Sequence, residues 1–212
     1  LGCTRDDAAG EAFDKVAKLL GLPFPGGPAI EEAAKAGDSK AIRLPRALVG
    51  DRSLDFSFSG LKTAVLLAVQ AAAGDSARAP GRRDRRGSPM AARGAWNTLA
   101  PSLRRLAPAF VADLCAAFQE AVVEQLARKA LAAARRVGLR RLVVVGGVAC
   151  NEVLRTRLRA GAAEAGIAVA WPSPPLCTDN AAMIAAAGAA RYARGERADL
   201  SLKASASLPL GH

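Results

Sequence analysis

The fold of this chain is constrained most by a strand-like run that ends in two glycines. Leu142-Val143-Val144-Val145 is apolar and mainly β-branched, with the length of a buried strand, and Gly146-Gly147 ends it. Helical periodicity then covers 151–165, a second strand is predicted at 167–171, and a further helix is predicted at 178–194. The order strand–helix–strand–helix predicts a parallel α/β layer in the second half of the chain.

Helices dominate the rest of the pattern. Apolar residues three or four apart predict helices at 6–20, 29–36, 59–73 and 107–137. Short apolar stretches predict strands at 42–44 and 54–58, and 172–177 is predicted as a loop. Thr4 or Asp6 is suited to cap the first helix.

Composition excludes several classes of function. The 30 Lys and Arg against 19 Asp and Glu give a formal net charge of +11, which favours encounters with nucleic acid or anionic surfaces. Part of this charge also fits the arginine and alanine bias of a GC-rich coding sequence. Aromatic residues make up 4%, too few for a base-stacking RNA module, and the four cysteines include no CxxC pair, which excludes a zinc ribbon. No apolar run reaches the roughly 20 residues of a membrane span.

The pattern divides the chain into four parts. Residues 1–73 and 106–197 carry the periodic segments, 198–212 form a tail, and 74–105 hold many arginines and prolines. We interpret 74–105 as an insertion or linker, either an RNA-contacting arm or a biased surface loop. Because the chain starts at Leu1 inside a patterned segment, we expect an N-terminal part to be missing.

Two motifs in the second half are suited to bind a ligand. Glycines after a strand let the backbone approach a ligand, and the following helix N-terminus offers N–H groups to a phosphate or a purine edge. Asn151 at this helix start is interpreted either as a ligand contact or as an N-cap. Asp179 follows the second predicted strand, where a carboxylate binds a metal or, with Thr178, caps the next helix.

The first predicted helix concentrates acidic residues. Asp7, Glu11 and Asp14 lie at i, i+4 and i+7 on one face, where they repel unless they meet a cation or ligand hydroxyls. Asp14 is suited to accept hydrogen bonds from a ribose. The turn that follows, with Gly27, sets a backbone N–H and Glu31 beside the end of this helix. Lys62, in a helix first turn against the dipole preference, is interpreted either as the sign of an anionic neighbour or as a surface lysine.

Four sequence runs, taken together and in order, resemble one protein family. They are TRDDAAGEAFDKVAKLLGLPFPGGPAIE, DFSFSGLKTAV, VVVGGVACNEVLRTRL and CTDNAAMIAAAGAARY. They resemble the catalytic subunit of tRNA threonylcarbamoyladenosine synthase, named glycoprotease or O-sialoglycoprotein endopeptidase in older usage. The resemblance covers most of the chain except 74–105 and the tail. It implies an actin/sugar-kinase/Hsp70-like α/β fold of two lobes with the active site in the cleft, of which this chain is the C-terminal part.

The resemblance also implies a reaction. The L-threonylcarbamoyl group passes from threonylcarbamoyl-adenylate to N6 of the adenosine 3′ of the anticodon in tRNAs that read ANN codons. By match, Asp14, Gly27 and Asn151 are substrate-binding positions, with Asp14 on the ribose side, and Glu31 is a further contact. The implied partners are tRNA, a paralogous dimer partner and an ATPase subunit. The unlinked cysteines favour a cytoplasmic location without membrane contact.

The resemblance assigns Asp179 to a divalent metal, iron(II) with zinc as the alternative, that acts as a Lewis acid. The two histidines that complete this site in the family are missing here, since the one histidine is His212 at the chain end. A stable site needs about three protein ligands. We therefore expect this chain to bind metal poorly and to be inactive alone.

Other functions stay open at this point. They are a non-catalytic scaffold or dimerisation partner of the same pathway, a sugar- or acetate-type kinase of the same fold, and a metalloendopeptidase. Asp14, Asn151 and Asp179 argue against a scaffold, which has no need of them. A kinase needs a catalytic base and a phosphate loop in the other lobe, and a peptidase of the HExxH type is excluded because the motif is absent.

Overall fold

The computed structural model describes residues 1–46, 53–74 and 106–203 of the chain. The predicted insertion at 74–105, apart from Gly74, and the end of the predicted tail, from 204 onward, lie outside these residues, as does His212. The elements in chain order are α1 (Ala9–Leu19), α2 (Gly26–Ala34), α3 (Ser59–Ala72), α4 (Pro108–Arg136), β1 (Arg141–Val143), a 3₁₀ turn (Gly147–Cys150), α5 (Glu152–Glu164), β2 (Ala168–Ala170), α6 (Pro174–Cys177) and α7 (Ala181–Ala193). None of the helices in the described ranges is both long and apolar enough to cross a membrane.

The long helix α4 joins two hydrophobic cores. Leu114 and Phe118 in its first half pack against α1, α2 and α3, and the Phe118 ring meets Phe13 edge-on with 5.3 Å between ring centroids. Leu131, in its second half, packs against α5 and the strands. Each large apolar side chain buried in this way contributes about 1.5–3 kcal/mol. The predicted division of the chain at residue 106 stays a prediction, but both cores depend on this one helix.

The two strands form a small parallel sheet in which Leu142 pairs with Val169. This confirms the predicted α/β order, with α5 as the connection between the strands. The prediction of a buried strand is wrong, because only one face of the sheet is covered. Val144 packs on the second core, whereas Val143 and Val145 on the other face are 66% and 67% exposed.

The strands predicted at 42–44 and 54–58 do not form. Within the described residues, the second segment makes only an isolated bridge, in which Phe56 N donates to Cys3 O and Arg5 N donates to Phe56 O, both at 2.9 Å. One bridge is not a ladder, so the extended backbone is not a strand. The segment is held instead by Lys129 of α4, whose Nζ donates to Ser53 O at 2.8 Å.

Two helix starts also differ from the prediction. Helix α1 begins at Ala9 because Asp6 is engaged elsewhere: its Oδ1 accepts from the amide of Phe58 at 2.8 Å and its Oδ2 from Ser59 Oγ at 2.7 Å. Asp6 thus caps α3, and not α1. Helix α7 begins at Ala181, with Asn180 as its N-cap in place of Thr178 or Asp179.

Two further segments are more helical than predicted. Helix α2 begins at Gly26, three residues earlier than the predicted start. The predicted loop at 172–177 contains the short helix α6, since Pro174 and Pro175 suit the first positions of a helix.

Candidate functional site

A cleft of about 770 Å³ lies between the two cores. One wall comes from α1 and α2, and the other from the end of β1, the 3₁₀ turn, α5 and the loop before α7. Most of its lining is apolar, with two carboxylates and several glycine amides. Its volume and its lining are those of a site for a small organic ligand. The residues that bear on its chemistry are Phe13, Asp14, Gly27, Gly146, Gly147, Val148, Cys150, Leu154, Thr178 and Asp179.

Asp14 and Gly27 share the first wall. Oδ1 of Asp14 accepts a hydrogen bond of 2.8 Å from the amide of Gly26, which fixes the start of α2 against α1. The two helices touch here so closely that a Cβ on Gly26 would lie 2.6 Å from the Cα of Asp14. A Cβ on Gly27 would meet nothing within 4 Å. The glycine pair therefore has two roles, with Gly26 needed for packing and Gly27 leaving space in the cleft.

The strand–glycine segment contributes to the opposite side of the site with its backbone. Gly146 lines the cleft with φ at 92°, a conformation that favours glycine. Gly147 and Val148 follow in the 3₁₀ turn and also line the cleft. The first N–H groups of such a turn have no partner inside it, so they are available to an anionic or polar ligand group.

Asn151 lies directly behind this wall, next to Cys150, which lines the cleft. Its side chain is buried and occupied at both ends. Oδ1 accepts from the amide of Leu154 at 2.9 Å, and Nδ2 donates to Oε1 of Gln119 at 2.8 Å. The N-cap is therefore present, and a substrate contact of Asn151 stays a prediction. Sequence reasoning did not single out Gln119. Its place next to Phe118, in the apolar stripe of a helix, is the signal that could have predicted a buried polar contact.

Glu31 also lies behind the cleft wall. Its Oε1 accepts a hydrogen bond of 2.8 Å from the amide of Glu152, the first residue of α5. A carboxylate in this position satisfies a free helix amide and complements the helix dipole. In this structure Glu31 connects α2 to α5, and its predicted substrate contact stays a prediction.

Asp179 and Thr178 lie on the second wall, on the loop between α6 and α7. This loop is anchored through Cys177 by the buried Arg155. The guanidinium of Arg155 donates to Ala149 O at 2.6 Å, contacts Cys177 Sγ at 3.9 Å and lies 5.4 Å from the centroid of the Trp171 ring. Sequence reasoning missed Arg155. One side chain therefore ties the 3₁₀ turn, the end of β2 and the base of the Asp179 loop together.

Two thiols are in contact at the same wall. Cys150 Sγ donates to Pro174 O at 3.7 Å, and Cys177 Sγ donates to Pro172 O at 3.5 Å. Burial raises the pKa of Cys150, and its contact with Cys177 raises it further. Cys150 therefore stays a thiol at neutral pH, which disfavours a role as a nucleophile.

The acidic face of α1 is not a cluster of ligand-binding carboxylates. Lys15 Nζ pairs with Asp7 at 2.9 Å and with Glu11 at 2.6 Å, and Lys62 of α3 also pairs with Asp7. Partial burial raises the pKa of Asp7, but the hydrogen bonds and charges of Lys62 and Lys15 outweigh it, and the net pKa is lowered. The anionic neighbour, one of the two interpretations of Lys62, is thus confirmed as Asp7. Asp14 is left as the carboxylate of this helix that lines the cleft.

The residues present do not fit a bound metal ion. Across 1–46, 53–74 and 106–203, no three His, Cys, Asp or Glu side chains form a group that could hold one. Asp179 contributes a single carboxylate to the cleft, and a stable site needs about three protein ligands.

Comparison with known proteins gives a consistent result. A family model described as TsaD, tRNA N6-adenosine threonylcarbamoyltransferase, matches residues 1–186. Curated relatives with that name include one from Anaeromyxobacter sp. strain Fw109-5, 50% identical over 205 residues, which is 96% of this chain and 52% of the relative. Another, from Thermomicrobium roseum, is 50% identical over 210 residues, and one from Geobacter sulfurreducens is 47% identical over 210 residues; each match covers 99% of this chain and 53% of the relative.

The chain thus spans about half the length of the curated relatives that it matches. The matched range includes both walls of the cleft, from α1 to the loop that carries Asp179. This match, together with the convergence of Asp14, Gly27 and Asp179 on one cleft, shows that the chain belongs to the TsaD family of tRNA N6-adenosine threonylcarbamoyltransferases.

Proposed function

We propose that this chain supplies the nucleotide-binding part of an enzyme that transfers the L-threonylcarbamoyl group from threonylcarbamoyl-adenylate to N6 of an adenosine in tRNA. The adenosine is the one 3′ of the anticodon in tRNAs that read ANN codons. In this reaction the N6 amine attacks the carbamoyl carbon, the bond from that carbon to the phosphate oxygen breaks, and AMP leaves with the electron pair. The amine gives up its proton to water, so that the transfer balances.

The observation that carries the proposal is the convergence of Asp14, Gly27 and Asp179 on one cleft. Asp14 and Gly27 lie on the wall formed by α1 and α2, and Asp179 lies on the opposite wall, in the loop before α7. Residues so far apart in sequence meet at one surface only because the fold brings them there. A scaffold would not need two carboxylates in an otherwise apolar cleft.

Each wall has a distinct part in holding the adenylate. Oδ1 of Asp14 is bound to Gly26, and the rest of the carboxylate is suited to accept hydrogen bonds from ribose hydroxyls. The amides near Gly147 and Val148 suit the phosphate, and Val145, which is exposed and lines the cleft, offers apolar surface to the base. Gly27 leaves room for the ligand to approach the start of α2.

The finer features of the family are part of the same proposal. They are the two-lobed actin/sugar-kinase/Hsp70-like fold, a divalent metal near Asp179, a paralogous dimer partner, an ATPase subunit and a cytoplasmic location. The support for these features is family membership.

The proposal is tested with a chimera in which this chain replaces the matching half of the Anaeromyxobacter relative. The measurement is the threonylcarbamoyladenosine content of tRNA, determined by mass spectrometry after incubation with threonylcarbamoyl-adenylate. We expect the chimera to form the modified nucleoside and D179A to abolish it. The matched control is D199A, which removes an exposed carboxylate whose bonds go only to Ser201. Modification by D179A at the level of D199A would overturn the assignment.

A further inference from the structure

We propose that four arginines at the turn between α4 and β1 bind the phosphate backbone of the tRNA substrate beside the cleft. They are Arg135, Arg136, Arg140 and Arg141, here called the arginine ridge. The identity of the polyanion rests on the proposed function. The existence of the ridge rests on the structure alone.

The ridge is a concentration of positive charge without counter-charges. All four side chains are exposed, and none forms an ion pair or a side-chain hydrogen bond with any residue of 1–46, 53–74 or 106–203. Most other arginines of those ranges are paired, as Arg157 is with Glu120 at 2.8 Å and Arg191 with Glu196 at 2.6 Å. Lys18, Lys40, Arg43 and Lys203 are also exposed and, among the described residues, unpaired, but no other stretch of seven described residues holds four such cations, and residues 135–141 include no acidic residue.

The end of α4 explains only part of this charge. A helix dipole favours cations in the last turn, which accounts for Arg135 and Arg136. The chain then reverses at Gly138, whose φ is 71°. Arg140 and Arg141 lie beyond that turn at the start of β1, where no helix end favours a cation. Four exposed guanidinium groups within seven residues suit the oxygens of successive phosphates, which guanidinium binds in a bidentate manner.

The ridge lies close enough to the cleft to contact the same RNA. Ala130 of α4 lines the cleft, and Arg135 follows it by about 8 Å along the helix axis at 1.5 Å per residue. On β1, Arg141 shares the exposed face of the sheet with Val143 and Val145, and Val145 lines the cleft. The distance from Arg141 to Val145 along the strand is about 13 Å at 3.3 Å per residue.

A tRNA adenosine brought up to the adenylate in the cleft would therefore leave phosphates a few nucleotides away within reach of the ridge. This continuity favours RNA over an anionic membrane as the partner. A lipid surface would have no reason to adjoin the nucleotide cleft.

The test compares two quadruple variants of this chain that each remove four positive charges. The ridge variant is R135Q/R136Q/R140Q/R141Q, and the control variant is R43Q/R191Q/R194Q/R197Q. Binding of fluorescently labelled unmodified tRNA is measured by anisotropy over a series of salt concentrations. Circular dichroism and thermal unfolding check that both variants stay folded.

We expect the ridge variant to reduce the slope of log K against log salt by about 3, since each lost phosphate contact removes roughly 0.7–0.9 from the slope. Affinity near 0.1 M salt should therefore fall by about a thousandfold, and the control should change both quantities far less. Equal losses of tRNA affinity in the two variants, or no loss in either, would overturn the proposed role of the ridge. Loss of binding to phosphatidylserine-containing vesicles with tRNA binding unchanged would also overturn it, in favour of a lipid surface.

The same substitutions in the chimera separate this proposal from the proposed function. The ridge variant should raise the KM for tRNA and leave kcat unchanged, because the ridge does not touch the reacting atoms. A chimera that forms no modified nucleoside but keeps ridge-dependent tRNA binding would overturn the proposed function and support the ridge. A raised KM in the control variant as well would count against the ridge.

Discussion

The amide of Gly26 donates a 2.8 Å hydrogen bond to Oδ1 of Asp14, so one carboxylate both fixes the start of α2 and lines the cleft. The position of Gly27 in the cleft follows from this bond, because Gly27 is the next residue of the same helix. Packing and binding are thus coupled at the first wall. The neighbouring glycines allow the two contributions to be measured separately.

G26A should affect stability, whereas G27A should affect ligand binding. A Cβ on Gly26 would lie 2.6 Å from Asp14 Cα and 2.8 Å from Phe13 O, so G26A should lower the free energy of unfolding by about 1–3 kcal/mol. G27A adds a Cβ in open space within a helix and should change stability by less than about 1 kcal/mol, while weakening adenylate binding. Urea unfolding and isothermal titration calorimetry measure the two effects. Equal stability of the two variants would contradict the packing argument.

D14N tests the ribose contact without removing the bond to Gly26. An asparagine Oδ1 still accepts from the Gly26 amide, so the free energy of unfolding should stay close to that of the original chain. Loss of the charge should weaken binding of a non-hydrolysable adenylate analogue by about tenfold or more, since hydrogen bonds to charged groups contribute about 1.5–3 kcal/mol. Calorimetric titration is the measurement. Unchanged affinity in D14N would show that Asp14 has only its structural role.

N151A should destabilise the fold whether or not Asn151 touches substrate. It removes the cap on the Leu154 amide and leaves the buried Gln119 without its partner, which should cost about 1–3 kcal/mol. N151D keeps an acceptor for the Leu154 amide and should cost less. The matched control is E164A, at the exposed end of the same helix. If N151A lowered the thermal unfolding midpoint no more than E164A does, the capping role would be contradicted.

Asp6 should make the stability of the chain depend on acid pH. Partial burial raises its pKa, but hydrogen bonds from Ser57, Phe58 and Ser59 outweigh burial and lower the net pKa below the ordinary value. Such a group stabilises the fold above its unfolded-state pKa of about 4, and this stabilisation is lost as the pH falls through the lower folded-state pKa. D6A should therefore cost about 1–2 kcal/mol at pH 7, and the difference from the original chain should shrink below about pH 4. Urea midpoints at several pH values measure this, and a pH-independent difference would contradict it.

Metal titration tests whether Asp179 can bind an ion in this chain. With two carboxylates in the cleft, one on each wall, and no group of three metal-binding side chains among the described residues, we expect no tight 1:1 binding of Zn²⁺ or Fe²⁺. The control is D179A, which should titrate like the original chain. Tight binding that D179A abolishes would contradict this expectation, because it would mean that further ligands complete a metal site at Asp179.

The sequence predicted what depends on local periodicity and missed what depends on distant partners. The helix at Pro108–Arg136 and the pairing of β1 with β2 followed from apolar spacing and from the order of elements. Nothing local indicates that Asp6 caps α3, a contact that bridges more than fifty residues. Among Thr178, Asp179 and Asn180, each is a competent cap. Asn180 is the one that caps α7, and its Nδ2 also donates to Thr178 O at 3.0 Å, a contact that the local sequence does not reveal.

The candidate site shows the same limit. The positions of Asp14, Gly27 and Asp179 on one cleft agree with the resemblance, which supplies spatial information that single-sequence patterns lack. Arg155 was missed because a buried arginine is rare and its partners, Ala149 O and the Trp171 ring, are recognisable only when the chain is folded.

Helix α7 buries none of its 13 residues within the described part of the chain. A solitary helix of this length is marginal in water even when it is rich in alanine. Its amides should therefore exchange with deuterium faster than those of α4, where both cores slow opening. Asp179, two residues before α7, consequently takes its position from Cys177 and Arg155 behind it and not from the helix ahead. A ligand that engages this carboxylate would reveal itself first as slower exchange in α7, at a distance from the atoms it touches.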